Sequence, residues 1–252
     1  VKDRIKDTLT PIVFCVGGLL LAHHEMIRTG FAVTQSDLGD TRFGHLVMEH
    51  LWRWLIGVPM HADLWSPPYF SPQTGHIVWN ENMFGAALLY VPFRVLGLQP
   101  DNAYQGWVLA TGALNFTATY FLFRRAFKFD ALPSSLGAML FAFSAVRINQ
   151  TMHWQLFPHY WTAWAAHASY RLAGASQLNE RQRVWWIAVL AGSFVGQLWA
   201  CIYLGWFLIF VFTFGLALGM CWTSLRTEMW NLLKSNPYTL VLAAVLGFAA
   251  LY

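Results

Sequence analysis

The sequence SDLGDTRFGH at residues 36–45 opens a polar stretch that closes with GHIVWNEN at residues 75–82. Long apolar segments lie on both sides of this stretch, so its acidic and imidazole groups stand out against the rest of the chain. They are Asp37, Asp40, Glu49, Asp63, Glu81, His45, His50, His61 and His76. Ionisable groups gathered beside an apolar scaffold are typical of a functional site. We therefore expect the chemistry of this protein in residues 36–82.

The composition predicts an integral membrane protein. Hydrophobic residues make up 57% of the 252 residues and charged residues only 11%, compared with about 25% charged residues in soluble domains. The mean hydropathy is +0.42. Helices are the usual way for a single chain to cross a bilayer many times, so the expected fold is all-α and polytopic. The net charge of +4 does not indicate nucleic-acid binding, because the cations lie in short loops beside apolar segments.

The apolar segments predict about seven transmembrane helices. We place them at residues 8–27, 103–123, 131–147, 157–172, 184–200, 202–222 and 238–252. Residues 184–225 carry no charge and are too long for one span, so we divide them near Cys201. Most of the lysines and arginines then share one side, which the positive-inside rule makes cytoplasmic. Residues 36–82 and the second polar stretch, 147–161, lie together on the outer side.

Two segments of the outer loop are expected to lie in the membrane interface. Residues 42–55 have the period of an amphipathic helix. The apolar face carries Phe43, Leu46, Val47, Leu51, Trp54 and Leu55, and the polar face carries Arg42, His45, Glu49 and Arg53. Residues 83–93 are apolar but too few to cross a bilayer, which predicts a second interfacial helix, interrupted at Pro92.

We interpret residues 1–252 as one transmembrane module in which residues 35–100 form the outer catalytic loop. The sequence stops at Tyr252 inside an apolar run. This ending predicts that the chain is the N-terminal part of a longer protein.

Asp37 and Asp40 are the first candidate catalytic residues. Two carboxylates three residues apart can bind a divalent cation through their oxygens, and either one can take a proton from an acceptor hydroxyl. The alternative is helix capping, because Asp40 or Thr41 directly precedes the amphipathic helix. The residues alone leave these interpretations open.

The histidines and Arg147 are candidates for binding rather than catalysis. His45 and Glu49 lie four residues apart, a weak metal-ligand pattern, and a hydrogen-bonding role at the interface, with phosphate in some cases, fits the histidines better. Arg147 ends an apolar segment and His153 follows six residues later. An arginine there suits a lipid phosphate or diphosphate, although an arginine that only anchors a helix end has the same pattern.

The order of the segments carries a family resemblance. After the first span come SDLGDTRFGH, the amphipathic helix, LWSPPYFSPQTGHIVWNENMFGAALLYVPFRVLG at 64–97, FLFRRAF at 121–127 and FAFSAVRINQTMHWQLFPHYW at 141–161. This order resembles the GT-C superfamily of membrane glycosyltransferases, in particular bacterial members that use polyprenyl-phosphate-linked sugars. The resemblance covers most of residues 10–175.

The resemblance implies an inverting transfer of sugar from a polyprenyl-phosphate donor to an acceptor hydroxyl on a glycan, a lipid or a protein. It implies that Asp40, with Asp37 second, is the essential acid of the first outer loop, as a base or as a ligand of Mg²⁺ or Mn²⁺. Glu81 matches the acidic position before the second interfacial helix. Arg147 and His153 match positions that face the donor phosphate, and His45 is assigned to substrate binding beside them. The implied location is the bacterial inner membrane, with the active site facing outside.

Two other functions fit the composition. A polytopic transporter or lipid flippase would place ionisable residues in mid-membrane and use paired broken helices. Residues 103–123 and 184–225 carry no formal charge, which favours surface chemistry over passage. A structural or assembly subunit of the membrane is the third possibility, and in that case Asp37, Asp40 and Glu81 would be replaceable.

Overall fold

The fold is known from a computed structural model that describes residues 2–34, 39–78, 81–149 and 153–249. Within these ranges the chain forms helices and loops and no strand, which confirms the all-α prediction. The α-helices are α1 (Lys2–Ala22), α2 (His24–Arg28), α3 (Asp40–Leu55), α4 (Phe84–Val95), α5 (Pro100–Phe121), α6 (Ala131–Phe143), α7 (Ala145–Asn149), α8 (Tyr160–Leu172), α9 (Glu180–Ala200), α10 (Ile202–Gly219), α11 (Thr223–Ser235) and α12 (Pro237–Ala249).

Helix ends follow local sequence signals. Helix α5 has Pro100 in its first turn, where the missing N–H costs no helical hydrogen bond. Helix α9 has a capping box, in which the Asn179 side chain accepts from the Gln182 N–H at 2.9 Å and Gln182 accepts from the Asn179 N–H at 3.1 Å. Beyond α5 the chain continues into one wider, π-helical turn, Leu122–Ala126. Short 3₁₀ turns lie at Pro59–His61, Pro68–Phe70, His76–Val78, Trp154–Leu156 and Ala175–Gln177.

Helix α5 lies at the centre of the fold and contacts α1, α4, α6 and α8. Its fully buried side chains include Tyr104 and Trp107. The Trp107 indole N–H donates to the carbonyl oxygen of Ala86 at 3.0 Å, so the interior indole has a partner and ties α5 to α4. Helix α9 packs on α8, α4, α10 and α12. The two short helices α3 and α4 therefore rest on a frame of longer ones.

Helices α4 and α9 approach so closely that their backbones touch. A Cβ atom on Gly85 of α4 would overlap the carbonyl oxygen of Gly196 in α9. The Tyr160 hydroxyl of α8 donates to the Gly85 carbonyl at 3.4 Å at the same place. Glycine is required at Gly85 because no side chain fits between the helices.

Among the residues that the structure describes, two helical stretches are long and apolar enough to cross a bilayer. One is Ala131–Ile148, which comprises α6 and most of α7, and the other is α10 at Ile202–Gly219. The surface of α10 is strongly apolar, with Trp206, Phe207 and Phe210 all more than half exposed. These stretches support the membrane interpretation by length and composition.

Several sequence predictions can be compared with the helices. The break near Cys201 is confirmed, because this single extended residue separates α9 from α10. Helix α4 is short, as predicted, but it is not interrupted at Pro92 and continues to Val95. Helix α11 was not expected. It has no fully buried residue and follows a turn at residues to which the sixth predicted span extended.

The amphipathic helix is present, but its buried face differs from the predicted one. Leu46, Trp54 and Leu55, which were placed on the apolar face, are exposed. Glu49, which was placed on the polar face, is buried against α4. Val47 and Leu51 of the predicted apolar face are buried, as expected. The position of the neighbouring helix decides which other residues of α3 are covered.

We predict that Gly85→Ala destabilises the protein because the new methyl group forces α4 away from α9. Overpacking of this kind costs about 1–3 kcal/mol, measured as a lower thermal unfolding midpoint in detergent. Gly215→Ala is the matched control, because a Cβ on that α10 glycine meets no atom within 4 Å. An unchanged midpoint in Gly85→Ala would show that the α4–α9 contact is looser than the structure gives.

Candidate functional site

A polar cavity of about 310 Å³ lies where four segments meet. They are the start of α3, the loop before α4, the 3₁₀ turn at Trp154–Leu156 and the start of α10. Its lining residues are Asp40, Phe43, Gly44, Glu81, Met83, Gln155 and Tyr203. The fold thus brings together Asp40 and Glu81, two candidate residues that are 41 positions apart in the sequence.

Asp40 is joined to the second polar stretch. Its Oδ2 atom lies 2.9 Å from Nδ1 of His153, and both side chains are more than half exposed to solvent. Gly39 is the N-cap of α3, so neither Asp40 nor Thr41 takes the capping position that the alternative interpretation gave them. As the first residue of α3, Asp40 still benefits from the positive end of the helix dipole. The Asp40 side chain also lines the cavity.

Glu81 occupies the opposite, buried wall and is only 7% exposed. Its Oε2 atom accepts the backbone N–H of Ile202 at 3.0 Å, and Oε1 lies 3.6 Å from Sγ of Cys201. Burial raises the pKa of Glu81, and the hydrogen bonds from the start of α10 oppose that rise in part. Glu81 therefore fixes the first turn of α10 beside the cavity.

The other predicted site residues lie elsewhere. His45 contacts the carbonyl oxygen of Pro100 at 3.1 Å and lines a neighbouring cavity of about 200 Å³ with Asp101 and Tyr104. Arg147 packs its guanidinium over the Phe141 ring, 5.1 Å from the centroid, and is not a lining residue of the cavity at Asp40. Asp37 lies outside the described residues.

Five lining residues were not identified as site residues from the sequence: Phe43, Gly44, Met83, Gln155 and Tyr203. Gln155 belongs to the second polar stretch, so its polarity was visible although its role was not. Tyr203 sits in the first turn of an apolar helix and gave no signal. Met83 has a left-handed backbone, with φ of 51°, and its sulfur lies 3.0 Å from the position that a Cβ on Gly44 would take. A side chain at Gly44 would therefore press on the Met83 thioether.

A charged cluster centred on Glu49 holds α3 against α4. Glu49 Oε2 accepts from the Tyr90 hydroxyl at 2.6 Å and from Nε of Arg94 at 2.9 Å, and Oε1 accepts from Nε of Arg53 at 2.9 Å. Burial by itself raises the pKa of Glu49, but the hydrogen bonds from Tyr90 and Arg53 and the charge of Arg94 bring it below the ordinary value. Glu49 is a structural carboxylate and does not join His45 as a metal ligand.

A pair of histidines closes the loop that follows α3. Nδ1 of His50 lies 2.7 Å from Nδ1 of His61, and Nε2 of His50 lies 2.9 Å from the carbonyl oxygen of Leu64. Since a carbonyl only accepts, the neutral His50 carries its proton on Nε2 and accepts at Nδ1, so His61 donates from Nδ1. Burial lowers the pKa of both histidines.

The described residues contain no group of three histidine, cysteine, aspartate or glutamate side chains able to hold a metal ion. Asp40 and Glu81 share a cavity, but Asp40 contacts His153 and Glu81 accepts a hydrogen bond from the start of α10. A cation would need further oxygens from a substrate phosphate or from residues beyond those described.

We predict that Glu49→Gln lowers the free energy of unfolding by about 3 kcal/mol, because the arginines of the cluster lose their shared counter-charge in a buried setting. Thermal or denaturant unfolding in detergent measures the change. Glu25→Gln serves as the control, since that exposed carboxylate only pairs with Arg28 on the surface. Equal effects of the two substitutions would contradict a structural role for the Glu49 cluster.

The histidine pair predicts a pH-dependent stability. The folded pKa values are lowered, so as the pH falls below about 6.5 the unfolded chain binds protons that the folded pair does not, and stability decreases. Melting curves between pH 8 and 5 should show this loss. His61→Gln should make the dependence shallower, whereas a change at exposed His24 should leave it as in the wild type. If His61→Gln left the pH dependence of stability unchanged, that dependence would arise from other groups.

Comparison with known proteins adds no family assignment. No protein-family model, no curated protein and no solved structure matches this chain. The basis for a functional conclusion is therefore the geometry of the described residues.

Proposed function

We propose that this chain is a membrane glycosyltransferase that moves a sugar from a polyprenyl-phosphate donor to an acceptor hydroxyl of a glycan, a lipid or a protein. The proposal rests on the cavity at the start of α3, which both Asp40 and Glu81 line. Nδ1 of His153 lies 2.9 Å from Oδ2 of Asp40. A concave site with few convergent polar groups is the usual form of a small-molecule site. Its volume of about 310 Å³ is at the lower end of such sites.

The helices around the cavity support a substrate that comes from the membrane. Helices α3 and α4 have 16 and 12 residues and are about 24 and 18 Å long, less than the ~30 Å of a bilayer core. We place both of them in the interface, on the extracytoplasmic side of the bacterial inner membrane. The remaining helices include the seven proposed spans, and the cavity opens beside α10, one of the two stretches that are long and apolar enough to cross.

The proposed reaction is a direct displacement with Asp40 as general base. The Asp40 carboxylate takes the proton of the acceptor hydroxyl, and the acceptor oxygen attacks the anomeric carbon of the donor sugar. The bond between that carbon and the phosphate oxygen breaks, and the lipid phosphate leaves with the electron pair. His153 holds the Asp40 carboxylate in place through its Nδ1 contact and is a positioning residue.

The leaving phosphate needs positive charge near it. Arg147 is the proposed source, because it precedes His153 in the same outer stretch and its partner in the structure is an aromatic ring rather than a carboxylate. The donor phosphate would draw its guanidinium from the Phe141 ring. A Mg²⁺ or Mn²⁺ ion would need ligands outside the described residues, because the described ones do not form a complete site. No step above depends on a cation.

The first test is transfer of labelled sugar from polyprenyl-phosphate donors by the full-length protein in membranes. Asp40→Asn should reduce kcat by about 100-fold or more, the usual contribution of a general base. His153→Gln should cause a smaller loss, because the base remains. Asp101→Asn is the matched control: this exposed aspartate lines the neighbouring cavity at His45 and should retain full activity.

Equal transfer by wild type and Asp40→Asn, at equal expression, would remove Asp40 from the mechanism. Transfer by no donor in the wild type, together with uptake or lipid translocation, would replace the proposal with a transporter or flippase.

A further inference from the structure

A second and larger cavity, of about 620 Å³, shares no lining residue with the cavity at Asp40. It is bounded by the end of α5 with its π turn, by one side of α8 and by the first half of α9. Arg125 and Arg171 line one end, and Trp161 and Ser193 the other. Ten residues of α8 separate Arg171 from Trp161, so the cavity extends about 15 Å along that helix. Between these ends the walls are mostly aromatic and apolar.

The two arginines at its charged end have no acidic partner. The preceding residue, Arg124, pairs with Asp7 at 3.3 Å. In the described part of the chain, neither Arg125 nor Arg171 pairs with a carboxylate. Arg171 instead lies over the Trp186 ring, 5.6 Å from its centroid, which leaves the edge of the guanidinium available to accept an anion. Two unbalanced cations at one cavity end attract a phosphate.

His167 gives a second, independent indication of a ligand. It is only 4% exposed and lines this cavity, and neither of its ring nitrogens has a hydrogen-bond partner among the described residues. Its ring lies parallel to Trp164 and 4.8 Å from the centroid of Trp186. Unpaired buried polar atoms cost free energy. A ligand oxygen in the cavity would remove that cost.

We propose that this cavity binds an anionic phospholipid, with its phosphate at Arg125 and Arg171, a hydrogen bond to His167, and an acyl chain along the tryptophan-lined wall. A cationic end followed by an apolar channel matches the two parts of such a lipid. Inorganic phosphate shares the headgroup chemistry but would leave the aromatic wall uncovered.

The lipid site and the proposed catalytic cavity lie at opposite ends of α5. That helix has 22 residues and is about 33 Å long, and its first turn contacts His45 of α3. If α5 crosses the bilayer as proposed, the arginine end of the lipid site is on the cytoplasmic side. Anionic lipids are attracted there by basic loops. The lipid site is thus separate from sugar transfer and does not depend on Asp40.

The test measures lipid binding to the purified full chain in neutral detergent, by thermal unfolding and by native mass spectrometry. Phosphatidylglycerol should raise the unfolding midpoint in a saturable manner, and phosphatidylcholine with the same chains should have little effect. The combined Arg125→Gln and Arg171→Gln variant should bind phosphatidylglycerol at least 10-fold more weakly. Arg181→Gln, which removes a charge from the exposed start of α9 outside the cavity, should bind like the wild type.

His167→Phe keeps the stacked ring and removes its nitrogens, so it provides a variant that preserves packing. We expect weaker lipid binding in a protein that unfolds at or above the wild-type midpoint without lipid. Undiminished binding by both this variant and the double arginine variant would overturn the proposal. An equal response to phosphatidylcholine, or saturation by inorganic phosphate alone, would also overturn it. Asp40→Asn should bind the lipid normally, which separates this test from that of sugar transfer.

Discussion

The buried carboxylate of Glu49 is the interaction on which the proposed catalytic cavity depends. It joins α3 to α4 through Arg53, Tyr90 and Arg94. Because Asp40 begins α3 and Glu81 comes shortly before α4, the register between these two helices sets the distance across the cavity. The glycine contact of α4 with α9 then fixes the pair on the larger frame. A single buried charge thus controls the geometry of residues that lie more than a helical turn away.

The polar groups that line the two cavities lie towards opposite ends of α5. Carboxylates and the His153 imidazole border the cavity at one end, and arginines border the aromatic cavity at the other. An acid able to accept a proton and a pair of cations able to hold a phosphate would neutralise each other if they were adjacent. Their separation keeps both kinds of chemistry available in one small helical unit.

Much of the helical architecture could be predicted from the sequence, because apolar length and period depend on local residues. The break at Cys201, the short helix before Arg94 and the closeness of the two polar stretches at Asp40 and His153 followed from such patterns. The burial of Glu49 did not, since periodicity cannot show which face a neighbouring helix covers. Tyr203 was missed for a related reason: an apolar helix that supplies one wall of a polar cavity has no polar signature of its own. At Pro92, helix α4 loses one backbone hydrogen bond, but its remaining hydrogen bonds and packing keep it continuous to Val95.

The position of Tyr203 has a consequence for how a substrate arrives. This residue lines the proposed catalytic cavity and lies in the first turn of a helix with exposed aromatic side chains, among them Trp206 and Phe210. A donor with a long isoprenoid tail could keep that tail in hydrocarbon along α10 while its sugar enters the cavity. Encounter then becomes a search within a two-dimensional film, in which the rate depends on the surface density of the donor and on bilayer viscosity rather than on concentration in water.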